Sequence, residues 1–233
     1  RKRAEEALRE SEGKYHGLVE QSLMGIGLSR GNQVVFANRA LLDIFGYENL
    51  EEFARIPLMD HVAPAFRDQI AARLKRISQG ETQRTDFEYD ILCKDGKVKT
   101  LYASAAHIMI GGEIYTQTAF HDITERKQAQ ALQEAVYQIA LVTVTTRSLN
   151  DLFPQIHGII SSVMPAKNFY ITLYDEEHDV LEFPYFKNAE DEPFMGRIQP
   201  AKGLTAYVLR KGKSLLCTQA STIGRKRFCL PWL

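Results

Sequence analysis

Cysteine is scarce in this chain: three residues, Cys93, Cys217 and Cys229, odd in number and without a CxxC pair among them. Neither a disulfide framework nor a zinc site is expected from that spacing, and a reducing, cytoplasmic setting is the simplest reading. An excess of one charge is missing too. The 29 basic and 29 acidic residues cancel, so the overall balance predicts neither a nucleic-acid partner nor a charged membrane surface. Long apolar runs are absent: Leu23 to Leu28 and Ile139 to Val142 fall far short of the roughly 18–20 residues that span a bilayer. No membrane contact is expected in this stretch. The chain opens at Arg1 with no charged-then-apolar leader, which suggests a piece of something longer. From about residue 219 the pattern loses readable periodicity, as an atypical, truncated or frame-shifted tail would.

What remains is ordinary globular material, 233 residues with 45% hydrophobic content, enough for one large or two small domains. Arg1 to Glu20 is charged and Pro-free, with Ala4, Leu8, Tyr15, Leu18 and Val19 at mostly helical spacings, and predicts a helix interrupted or ended near Gly13. Met24 to Ser29 and Gln33 to Ala37 flank Gly31-Asn32 as a hairpin. Asn38 suits the N-cap of a short helix that buries Leu41, Leu42, Ile44 and Phe45 and stops at Gly46. From Asn49 to Gly80 the character is helical, broken at Pro57 and Pro64, with Leu50, Phe53, Ile70, Leu74 and Ile77 as core candidates. The period then changes to two. Thr85 to Cys93, Val98 to Ile110 and Glu113 to Ile123 read as a meander turned at Lys94-Asp-Gly-Lys97 and Gly111-Gly112. Together these elements predict an α+β domain, a five-stranded antiparallel sheet with its helices on one side.

Thr124 to about Val144 is helical again, and Ala129, Leu132, Val136, Ile139 and Thr143 repeat at 3, 4, 3 and 4 residues. That is an a/d seam about two heptads long, fitting either a dimeric coiled coil or an amphipathic helix lying on its own domain. Arg1-Lys2-Arg3-Ala4 resembles Arg126-Lys127-Gln128-Ala129, an internal repeat in which each copy opens a charged helix feeding a new domain. Beyond it, Ser148 to Met164 predicts a helix with a Ser148–Asp151 capping pair, kinked or started late because of Pro154. Strands follow at Asn168 to Tyr174 and Val180 to Phe186, then an acidic loop from Lys187 to Pro193, a helix over Leu204 to Arg210 closed by Gly212, and a strand over Ser214 to Cys217.

Several separated pieces carry a resemblance: Glu12-Gly-Lys-Tyr-His-Gly-Leu-Val-Glu-Gln-Ser22, Val34-Val-Phe-Ala-Asn-Arg-Ala40, Phe45-Gly-Tyr47, Lys94-Asp-Gly96 and Asp122-Ile-Thr-Glu-Arg-Lys127. In order and spacing they resemble a PAS domain. The resemblance implies a PAS fold over 15–126, preceded by a connector helix over 1–14 that would be the exit of an earlier sensor domain. It also implies a signalling linker helix over 127–147. In that family the Asp-Ile-Thr motif joins the last strand to the outgoing helix, which assigns signal coupling to Asp122 and Thr124. Both side chains can bond backbone donors at a helix start, with Thr124 the expected cap, and an ordinary cap without signalling meaning fits the same residues. Met164-Pro-Ala-Lys-Asn-Phe-Tyr-Ile-Thr-Leu-Tyr-Asp175, Phe183-Pro-Tyr-Phe186 and Lys202-Gly-Leu-Thr-Ala-Tyr-Val-Leu209 resemble the beginning of a GAF domain, so 148–233 is expected to be its N-terminal part.

The chemistry that could accompany such a module is mostly missing. Arg55-Ile-Pro-Leu-Met-Asp-His61 has no cysteine where flavin-adduct PAS domains carry theirs, and His61 is the nearest candidate for a haem ligand; neither covalent flavin nor haem is expected, and any cofactor stays unknown. His107 and His121 read as strand residues. A kinase phosphoacceptor histidine would be followed by an acidic residue, whereas His157 precedes Gly158. Phosphate loops, a cyclase Gly-Gly-Asp-Glu-Phe signature, GxSxG and HExxH are all absent, so no catalytic domain is expected in these residues. The expected function is a sensory input module of a bacterial-type signalling protein. It would pass a ligand or conformational signal through the linker helix to an output domain such as a histidine kinase or diguanylate cyclase. A ligand-free dimerisation module is the alternative. The expected partners are a second copy through the linker helix and a small apolar ligand among Ile26, Phe36, Leu42, Phe45, Phe87, Tyr89 and Tyr102, residues whose spacing is equally that of plain core.

Overall fold

The computed structural model describes residues 2–78, 85–188, 196–200 and 203–216. They fall into two compact units, Arg1–Gln130 and Ala131–Leu233.

In the first unit, a helix (α1, Lys2–Glu20) precedes strands β1 (Gly25–Arg30) and β2 (Gln33–Ala37). Short helices α2 (Arg39–Phe45) and α3 (Leu50–Ala54), two 3₁₀ turns at Leu58–His61 and Pro64–Phe66, and α4 (Arg67–Ser78) come next. The meander β3 (Thr85–Leu92), β4 (Val98–Ile110) and β5 (Glu113–Asp122) closes the sheet, and α5 (Thr124–Thr145) leaves it. The strand order is β2-β1-β5-β4-β3 with every neighbouring pair antiparallel. The five-stranded α+β fold expected from the periodicity is therefore present.

Turn chemistry explains the register. Gly31, Gly96, Gly111 and Gly112 have positive φ at the three hairpin turns, and Gly46 takes the left-handed conformation that ends α2. Alternation along β4 buries Leu101, Ala103 and Ala105 on the face that meets the helices, where Tyr89 and Ile91 of β3 and Phe120 of β5 join them. From the helical side come Leu41, Leu42, Phe45, Phe53 and Ile70. Phe45 and Phe53 lie 5.0 Å apart between ring centroids. Close approach of α2 to β1 depends on two glycines: a Cβ on Gly25 would sit 3.1 Å from Leu41 Cα, and one on Gly27 would lie 2.8 Å from Leu41 Cδ2.

Three local expectations change. α1 runs unbroken through Gly13, because one glycine costs only about 1 kcal/mol in a helix. Pro57 and Pro64 do break the helical stretch, but into 3₁₀ turns as well as α-helix. Core candidate Ile77 has a side chain outside the described residues.

The second unit carries α6 (Leu149–Val163), a three-stranded sheet β6 (Phe169–Asp175), β7 (Val180–Lys187) and β8 (Arg197–Ile198), and α7 (Leu204–Lys211). α6 starts at Leu149 despite Pro154, and the Ser148 side chain makes no capping bond; Ser148 instead accepts Asp151 and Leu152 amides on its backbone carbonyl. Pro154 sits in the second turn, where only the bond to Asn150 is lost. His157 has a structural job: its Nε2–H donates to the Ala166 carbonyl at 2.7 Å, its Nδ1 accepts from the Tyr185 hydroxyl at 2.8 Å, and its ring stacks on Phe169. Ser214–Leu216 forms no strand. Most of the acidic loop, Cys217, Cys229 and the tail lie outside the described residues, and the short β8 was not anticipated.

Candidate ligand cavity and its junction with the outgoing helix

Between the inner face of the sheet and α2–α4 lies a cavity of about 70 Å³. Its wall takes Phe45 from α2, Phe53 from α3, Ile70 and Leu74 from α4, Phe87 and Tyr89 from β3, and Phe120 from β5. Ser29, Thr116 and Thr118 add hydroxyls, and among the described residues Arg73 lines it as the one permanently charged side chain. Burial pushes the Tyr89 phenol far above its ordinary range, with the positive charge of Arg73 opposing.

The seven ligand candidates separate. Phe45, Phe87 and Tyr89 line this cavity. Leu42 is buried in the adjoining core. Ile26 and Phe36 face the other side of the sheet, in a groove shared with His16 and Val19 of α1, Leu28 and Ile108. Tyr102 alternates with Leu101 and Ala103, which puts it on that outer face as well. Apolar periodicity marks which residues are buried or half-buried, but both faces of a sheet covered by helix on each side carry such residues, so the face could not be assigned. Arg73 was missed, although a signal exists: it falls three residues after Ile70 and next to Leu74, on the apolar stripe of α4.

His61 is 3% exposed and packed among the rings of Phe45, Tyr47 and Phe53, at 5.3, 5.5 and 4.5 Å between centroids. Burial lowers its pKa against the opposing backbone bond with Phe53 and the charge of Asp60. The enclosing aromatic rings hold this histidine as core. Cys93 closes the β3–β4 turn, its thiol 3.4 Å from the Ile44 carbonyl and pushed up in pKa by burial.

Phe120 of the cavity wall lies two residues before Asp122, where the sheet hands over to α5. The Asp122 carboxylate accepts the Thr124 amide at 3.0 Å and the Thr124 hydroxyl at 2.6 Å, while Lys99 of β4 pairs with it at 3.2 Å. Thr124 is thus the first helical residue and not the cap; its hydroxyl accepts the Thr100 amide of β4 at 2.9 Å. Thr100 in turn donates its hydroxyl to Asp90 of β3 at 2.7 Å. Burial pushes the Asp122 carboxyl up, yet the bonds from Thr124 and the Lys99 ammonium together hold it below its usual value. On the outer face Glu88 of β3 pairs with both Lys127 and Arg126 in the first turn of α5. Lys99, Glu88, Thr100 and Asp90 were not singled out beforehand, since nothing local in a strand tells which polar residue will meet a helix start.

The other end of the fold has its own junction. Asn38 is fully buried; its Oδ1 accepts the amides of Ile26 at 2.8 Å and Leu41 at 3.0 Å, and its Nδ2 donates to the carbonyls of Val19 at 2.9 Å and Met24 at 3.0 Å. The expected N-cap is there, with α1 and β1 tied to it.

Among the described residues no helix is long and apolar enough to cross a membrane, and no cluster of His, Cys, Asp or Glu could hold a metal ion. No curated protein matches the chain. Its fold is similar to the crystal structure of the PAS domain of an HTR-like protein from Haloarcula marismortui, at 20% identity, covering 53% of this chain and all of that one with a TM-score of 0.47. A PAS domain from a two-component sensor histidine kinase is 16% identical over 49% of this chain and 98% of that one, TM-score 0.41. A domain of the sensory box sensor histidine kinase/response regulator from Geobacter sulfurreducens is 22% identical over 48% and 95%, TM-score 0.39. The family model described as "PAS domain" matches residues 23–125, the span from β1 to the Asp122–Thr124 junction, and this part of the chain is a PAS domain.

Proposed function

We propose that the PAS domain, taken as residues 15–126, is a sensory input module in which a small ligand occupies the cavity between the sheet and α2–α4. Occupancy shifts β4 and β5, and Asp122 and Thr124 carry the shift into α5. The observation that carries this reading is the continuity of cavity and junction: Phe120 lines the first, and two residues later Asp122 anchors the second. A change of a few tenths of an ångström in β5 is felt at the helix start because the Asp122 and Thr124 bonds are short and partly buried.

In the same reading, 1–14 is a connector helix, 127–147 a linker helix and 148–233 the N-terminal part of a GAF-like domain. The output is a histidine kinase or cyclase elsewhere in the parent protein. The reading is tested by hydrogen exchange of α5 before and after extraction of any bound small molecule from the purified chain. A ligand found and a change in protection over residues 124–130 support it. Protection unchanged whether the cavity is filled or empty sinks it.

A second reading has its own support. Leu132 and Val136 are 59% and 61% exposed on α5, with Tyr137 and Val144 also exposed. Such a row fits self-association through the helix, with the PAS domain acting as a ligand-free dimerisation module.

A further inference from the structure

Arg73 sets the chemistry of the cavity. The central carbon of its guanidinium lies over the Phe87 ring, 3.7 Å from the centroid, and Phe87 stacks against Tyr89 at 5.3 Å. A cation–π contact uses none of the five N–H donors of a guanidinium as a conventional hydrogen bond. Arg73 keeps further interactions of its own within the chain, and a five-donor fork serves more than one partner. Among the described residues no acidic side chain lines the cavity. Its positive charge reaches the interior, where it works against the upward shift of the buried Tyr89 phenol.

Size limits the occupant. An apolar cavity near 150 Å³ takes a six-carbon ring, so 70 Å³ leaves room for an alkyl body of about three carbons on the same scale. Resting on the reading that this cavity is a ligand site, we propose that it takes a short-chain monocarboxylate, its alkyl part against Phe45, Ile70 and Phe120 and its carboxylate on Arg73. A carboxylate buried without a partner is costly, whereas one paired with a planar guanidinium is held by charge-assisted bonds. An uncharged molecule of equal size gains nothing from that pairing.

The test compares butyrate, butyramide and 1-butanol on the full chain, following backbone amide resonances of the cavity-lining residues. Butyrate is expected to bind at least tenfold more tightly than butyramide. Arg73→Gln is expected to bring butyrate down to the butyramide level with 1-butanol unchanged, and Arg73→Lys to fall between. Equal binding of butyrate and its amide by the unaltered chain overturns the carboxylate assignment and leaves the cavity standing as a ligand site; that comparison needs no variant to fold. If none of the three moves the cavity resonances, or if the shifts map outside the lining, the ligand-site reading and this inference fall together.

Discussion

Asn38 uses its whole bonding capacity inside the protein: two amides on its oxygen and two carbonyls on its nitrogen, with no exposed surface. Leaving a buried backbone group unpartnered costs about 1–3 kcal/mol, and alanine would strand four, some of which water can reach. Asn38→Ala is expected to destabilise the N-terminal unit by about 3 kcal/mol or more on that basis, read as the fall in its urea midpoint. Asn38→Asp keeps the shape but turns a carboxylate toward the Val19 and Met24 carbonyls, and should cost a similar amount. His61 is the other informative residue. Its folded pKa lies below the unfolded value of about 6.5, so the unfolded chain binds the extra proton first. Stability is at its full value above pH 6.5, falls as the pH drops below it, and levels off below the folded pKa. His61→Phe, which suits the surrounding rings, should remove that part of the pH dependence; an identical slope in both proteins between pH 7 and 5 rules the explanation out. Of these two residues only the cap role of Asn38 was legible in the sequence, because a cap is a local pattern while its partners Val19 and Ile26 lie 19 and 12 residues away.

Among the elements, those with a clean period were legible nearly to the residue. β4 spans the anticipated Val98–Ile110, and the hairpin turns fall at the expected glycines. Legibility failed where a contact from elsewhere decides the outcome. Thr124 looked like a cap, but the Thr100 amide claims its hydroxyl, and Asp122 supplies the helix start. Replacing a helix-start acceptor by alanine costs about 0.5–2 kcal/mol, so Asp122→Ala should speed amide exchange in the first turn of α5 by roughly twofold to thirtyfold. The same change in Asp95, an exposed turn carboxylate paired with Lys97, should leave α5 untouched. If exchange in the first turn is the same in the Asp122 variant, the junction does not hold the helix. Further along α5, Ala135 is buried while Leu132 and Val136 face solvent, so one helix carries an inner stripe and an unpartnered outer one. Changing Leu132 and Val136 together to Asp is expected to abolish self-association of the chain in sedimentation with its helical content retained. A monomeric unaltered chain, or a variant that still associates, removes the dimer reading.

At the scale of the whole chain, the division between compact units falls at Gln130, inside α5, and not in a loop. The two sides differ in what stabilises them. The PAS domain has a continuous core on five strands, whereas the described part of the second unit rests on three strands, with Phe153, Leu181, Phe183 and Ala206 buried and a half-buried His157–Tyr185–Phe169 cluster. Units with separate cores need not melt together. The chain is therefore expected to unfold in two steps in urea, the His157 cluster losing its resonances before Leu101 and Phe120 lose theirs. His157→Ala, which removes partners from both Tyr185 and the Ala166 carbonyl, should lower the first midpoint and leave the second in place. A single shared transition, displaced as a whole by that change, would instead mean that α5 couples the two units into one cooperative body.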